Sequence, residues 1–119
     1  MLAPFVHEAV LAVSGNSDDA APGAAVTLEL CGSLEHPPPC PLAPHNTRAE
    51  RTGGALTVRV VFATQPENEE QVRKRIEKAL RAGTISRPDG TAAHWDFLES
   101  AAATLSPSEA ALAGRLAGA

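Results

Sequence analysis

The side chains in this sequence best suited to hold a metal ion lie close together: Cys31, His36, Cys40 and His45, spaced C-x4-H-x3-C-x4-H. The whole chain has two cysteines and four histidines, so this window collects both thiols and half of the imidazoles. Two thiolates and two imidazoles make a complete tetrahedral set for zinc. Four protein ligands leave no position for water, so the expected role is structural. Prolines in the same window add two expectations. Pro37, Pro38 and Pro39 favour an extended polyproline path that would hold His36 and Cys40 roughly 12 Å apart at Cα, which opposes their sharing one ion. With Pro41 they also offer a ridge of the kind that docks on protein partners. Two other readings stay open: a Cys31–Cys40 disulfide, if the chain turns back at Gly32 and Ser33, and a rigid surface loop with no staple.

Other combinations are less specific. Arg73, Lys74, Arg75, Lys78 and Arg81, with Arg48, Arg51 and Arg59, would make a basic face, but glutamates at pairing distance turn it into a solvated, ion-paired surface. His94 and Asp96 sit on one side of an expected strand and form an acid/base pair on paper, as any two polar residues on a solvent face do. The sequence has no G-x-S-x-G, P-loop, dinucleotide fingerprint or H-E-x-x-H, which disfavours the enzyme classes built on them.

These residues need elements to position them. Val26–Cys31 alternates Val26, Leu28, Leu30 against Thr27, Glu29, Cys31 and reads as a half-buried strand. Ala55–Ala63 repeats the pattern with Leu56, Val58, Val60 and Phe62 inward and is expected at the centre of a sheet. Thr64–Gly83 reads as a helix with a Thr64/Glu67 capping box, an inward stripe of Val72, Ile76, Ala79 and Leu80, and Gly83 as its stop. His94–Leu98 reads as a third strand with Trp95 and Phe97 inward. Ser106, Pro107 and Glu109 open a last helix with Leu112, Ala113 and Leu116 inward. Met1–Ser14 fits a helix or a strand, and Gly15–Ala25 reads as a flexible linker.

The expected fold is therefore α+β: a small three- to four-stranded mixed sheet with helices packed on one face, and a long Pro/Cys/His loop, 32–54, between the first two strands. Residues 1–25 are expected as an N-terminal extension and linker, and 26–119 as a single domain. Composition sets the scale. Of 119 residues 23 are alanine, and Leu, Ile, Val and Phe together number only 25, so the core must be small. A net charge of −4 argues against nucleic acid as a partner. No apolar run is long enough to span a membrane, and the N-terminal residues do not resemble an export signal, so a reducing cytoplasmic setting is expected. The functional expectation is a non-catalytic accessory domain, stapled by zinc through the loop and acting in protein interaction. The alternative is a small-molecule-binding or thiol-redox domain, with its pocket at a homodimer interface.

Overall fold

The computed structural model describes residues 2–15, 18–31, 43–87 and 89–118. In chain order its elements are β1 (Ala3–Ala12), α1 (Ala21–Cys31), β2 (His45–Thr52), β3 (Ala55–Thr64), a 3-10 turn (Pro66–Asn68), α2 (Glu69–Arg81), β4 (Thr84–Ser86), β5 (Ala92–His94), β6 (Asp96–Ala103) and α3 (Pro107–Gly118). Four strands form one sheet in the order β2-β3-β1-β6, and β4 pairs with β5 in a separate hairpin. The α+β class is as expected. Every pairing in the main sheet, however, is antiparallel, where a mixed sheet was expected.

The reason lies in β1. The strand–helix–strand run β3-α2-β6 does leave β3 and β6 pointing the same way, since each is antiparallel to β1. But β1 lies between them, and β3 in turn lies between β1 and β2, giving two interleaved split βαβ units. The expected boundary at residue 25 thus fails as a structural division. The N-terminal segment is a central strand, hydrogen-bonded on both sides, and Ala21 and Ala25 of the expected linker are buried in the core.

The strand expected at Val26–Cys31 is the second half of α1. Its buried residues are Ala21, Pro22, Ala25, Val26 and Leu30, a helical spacing, while Leu28 is 37% exposed. Strand alternation and helix periodicity share Val26 and Leu30; two alanines decide between them, and alanine carries little hydrophobic signal. Asp18 starts the helix, its Oδ1 accepting from the Ala20 amide at 3.0 Å and its carbonyl from the Ala21 amide at 3.1 Å.

The expected 32–54 loop is shortened from its far end by β2. This strand has almost no apolar residues, so periodicity did not reveal it. It is an edge strand, placed by the two-residue Gly53–Gly54 turn that brings Thr52 opposite Ala55, with Gly53 at φ 61°.

β3 and α2 carry most of the core. Leu56, Val58, Val60 and Phe62 pack with Leu11, Val26, Leu30, Val72, Ile76 and Leu80 between the sheet and the α1/α2 layer. α2 starts differently from the expected capping box: Pro66–Asn68 forms the 3-10 turn, and Asn68 precedes α2 with no side-chain cap. It stops at Gly83, φ 72°, where a Cβ would come within 2.9 Å of the Trp95 carbonyl. Trp95 is buried as expected, with its indole N–H donating to the Leu80 carbonyl at 2.7 Å, but it interrupts the expected third strand, which becomes β5 and β6.

Helices do not all lie on one face. α3 packs on the opposite side, where Val6, Val61 and Ala113 form a second small core flanked by Leu112 and Leu116. Its capping box forms as expected: Ser106 N donates to Glu109 Oε1 at 2.8 Å and Glu109 N to Ser106 Oγ at 3.2 Å.

Candidate functional site

The α1–β2 junction contains the two described members of the Cys/His set. Cys31 is the last residue of α1 and His45 the first of β2. His36, Cys40 and the prolines 37, 38, 39 and 41 lie outside the described residues. Among the described residues no group of three or more His, Cys, Asp or Glu side chains converges. The geometry of His45 is nevertheless informative. Its Nδ1 lies 3.1 Å from the Ala43 carbonyl, which can only accept, so Nδ1 carries the proton and Nε2 the lone pair. Nε2 accepts from Thr27 Oγ1 at 3.0 Å. Thr27 is one helical turn before Cys31, the spacing at which residues on a helix are neighbours.

A cleft of about 500 Å3 opens between α1 and β2, lined by Asp19, Gly23, Thr27, His45, Asn46 and Thr47. Arg51 holds Asp19 of this lining, its Nε donating to Asp19 Oδ1 at 3.0 Å while its Nη1 donates to the Ser14 carbonyl at 2.7 Å. Gly23 allows close approach of the helix: a Cβ there would meet the Thr47 side chain at 3.2 Å.

A second polar cluster, not anticipated from the sequence, lies between α2, β1 and β6. His7 is buried, 6% exposed. Arg73 Nη1 is 3.2 Å from its Nδ1, His7 Nε2 is 3.1 Å from Ser100 Oγ, and Ser100 Oγ donates to Glu77 Oε1 at 2.6 Å. A guanidinium only donates, so Nδ1 must accept and Nε2 carries the proton. The chain then runs in one direction: Arg73 to His7 to Ser100 to Glu77. Ser100 receives a proton contact from the imidazole rather than giving one, the reverse of an activated serine. Burial, and then the Arg73 charge, hold the His7 pKa below its usual 6.5 against the opposing pull of Glu77. The Glu77 carboxyl is lowered mainly by the Ser100 hydroxyl. The signal for this cluster was His7 alternating with Phe5, Ala9 and Leu11, visible only once Met1–Ser14 is read as a strand.

The arginines do not form one basic face. Arg51 and Arg73 bind Asp19 and Glu69 on the α1/α2 side, while Arg59 lies on the other side of the sheet. There it donates to Glu109 Oε2 at 2.8 Å through Nε and to Glu8 Oε2 at 2.6 Å through Nη1. The Glu109 carboxyl is lowered to about 2, chiefly by the Arg59 hydrogen bonds. His94 and Asp96 are both exposed, on either side of the inward-turned Trp95. No helix among the described residues is long and apolar enough to cross a membrane. Compared with family models, with curated proteins and with solved structures, the chain finds no match.

Proposed function

We propose that this chain is a non-catalytic accessory domain that acts by binding, with a zinc ion held by Cys31, His36, Cys40 and His45 stapling the segment that joins α1 to β2. The observation that carries this reading is the His45 tautomer. A ring whose Nδ1–H is anchored to a backbone carbonyl and whose Nε2 carries the lone pair is the arrangement that prepares histidine for a metal, and the Thr27 hydroxyl that donates to Nε2 would give way to the ion. That ring also reaches α1 one turn from Cys31. A staple is physically useful here because α1 and β2 meet over a cleft rather than through packed apolar side chains. Zinc quantitation of the purified protein tests it. About one equivalent per chain, lost in Cys31→Ser and Cys40→Ser with a fall in melting temperature, is expected. Metal-free protein with two freely titrating thiols would overturn it.

The α1–β2 cleft favours a second reading, a small-molecule-binding domain. Its polar lining of Thr27, His45, Asn46 and Asp19 suits a hydrogen-bonding ligand, and the cleft lies within one chain, so no homodimer is needed to form it. A Thr27→Val variant that keeps its zinc but loses binding of a screened polar compound would favour this reading over the staple.

A further inference from the structure

Among the described residues, the side of the sheet that bears α3 is only half covered, and the strand register shows what the other half presents. Four rows that cross all four strands run over this side, with the two-strand pair Pro4–Ala63 beyond them at one end. α3 lies on the row Asn46–Val61–Val6–Ala103, where Val61, Val6 and Ala103 meet Ala113 and its neighbours, and its first turn reaches the next row, Arg48–Arg59–Glu8–Ala101, through the Glu109–Arg59 pair. Beyond it lie two rows: Glu50–Thr57–Val10–Glu99 and Thr52–Ala55–Ala12–Asp96. Their centre is small and largely apolar, while three of their four ends are carboxylates.

A bulge adds an apolar group to this surface. The β1–β6 register shifts between Val10 and Leu11. Phe97 packs against the α1/α2 core, and Ser100 bonds His7 and Glu77 on that same side. The two consecutive residues between them, Leu98 and Glu99, therefore share the α3 side. Leu98 is 57% exposed, the more exposed of the two large hydrophobic residues open to solvent among the described residues.

Charge decides the occupant. Glu50, Asp96 and Glu99 are exposed and have no ion pair among the described residues. Of the nearby bases, Arg59 is engaged by Glu8 and Glu109, which leaves only Arg48. A second copy placed on this face would bring carboxylates against carboxylates. We infer that these two rows are a docking surface for a cationic amphipathic segment of another protein. Its apolar side would lie over Val10, Ala12, Ala55 and Leu98, and its Lys or Arg side chains would reach Glu50 on one rim and Asp96 and Glu99 on the other. The rims are three strand spacings apart, about 14 Å, a width that one helix with basic residues on both flanks spans.

The test uses a synthetic 14-residue amphipathic Leu/Lys peptide, with a Leu/Glu peptide of the same pattern as control. The full chain is titrated by amide NMR and calorimetry. Binding of the Leu/Lys peptide alone is expected, with shifts centred on residues 10, 12, 55, 57, 96 and 99. A Glu50→Lys/Glu99→Lys double variant is expected to weaken it about tenfold, the effect of ~1.4 kcal/mol. Glu67→Lys/Glu70→Lys, the same charge change on exposed positions around the start of α2, is expected to leave affinity within about twofold. Equal weakening by both double variants, shifts centred elsewhere, absence of binding, or a dimer in sedimentation that protects this face would each overturn the inference.

Discussion

Arg73 donates to Nδ1 of His7 across 3.2 Å while also donating to the Val6 carbonyl at 2.6 Å. A residue of α2 thereby fixes the tautomer of a residue buried in β1 and holds that imidazole neutral. Protonating His7 would set an N–H against a guanidinium inside a largely buried site, which is why burial and Arg73 both lower its pKa.

Stability should therefore depend on pH through His7. The unfolded chain takes up a proton as pH falls through the usual 6.5, whereas the folded protein resists until lower pH. The stabilisation is complete above 6.5 and is lost as pH falls from there towards the native value. Thermal melts at pH 8 and pH 5 should show a drop for the wild type. His7→Gln, which offers both an acceptor and a donor, should flatten that part of the profile; an unchanged slope would mean that His7 is not its source.

A second acid-sensitive step should come from Glu109. Its carboxyl is held at about 2 against the usual 4.5, so its contribution is present above 4.5 and lost as pH falls towards 2. Glu109→Ala should cost about 2–3 kcal/mol at neutral pH. This is less than for a fully buried pair, because the Arg59 side chain is 26% exposed and keeps Glu8. Urea unfolding of the variant at pH 7 and pH 3 checks both the size and its shrinkage in acid.

Gly83→Ala should be destabilising by at least about 1–2 kcal/mol. The positive φ and the 2.9 Å approach to the Trp95 carbonyl act together there. At Gly90, φ 89° with nothing within 4 Å of the added Cβ, only the backbone term applies. Comparing the urea midpoints of the two variants separates conformational strain from steric conflict.

Substitutions in α1 distinguish helix from strand at Val26–Cys31. In a strand Val26 and Leu28 would both be inward; in α1 Val26 is fully buried and Leu28 is 37% exposed. Val26→Ser should cost about 2 kcal/mol or more, and Leu28→Ser less than about 1 kcal/mol. Equal, large losses would restore the strand.

Elements with large, regularly spaced apolar residues were legible in the sequence. The β3 alternation, the α2 stripe and the α3 capping box depend on neighbours a few residues away, so periodicity and cap chemistry identify them. β2 and α1 are not legible because no pattern of large apolar side chains selects their structure. β2 is a polar edge strand held by its hairpin turn, and the large core residues of α1, Val26 and Leu30, fit strand alternation as well as helix spacing, so that only its buried alanines mark the helix. Of the Cys/His set the sequence supplied the membership and spacing, while the orientation of His45 towards α1 depends on Thr27 and Ala43, which no spacing rule selects.

By itself, then, the sequence determined the class of fold, the shortage of core, the strongest strand and helix, and the residues able to hold a metal. Only the tertiary structure decided that the N-terminal segment is a central strand. Likewise, only the tertiary structure gathers His7, Arg73, Glu77 and Ser100 into one directed chain and sets two rows of the sheet, uncovered among the described residues, between acidic rims. The reason is that these outcomes depend on contacts between residues tens of positions apart. Such contacts are selected by which edges and faces remain free once the local elements have formed, and no local pattern records that selection.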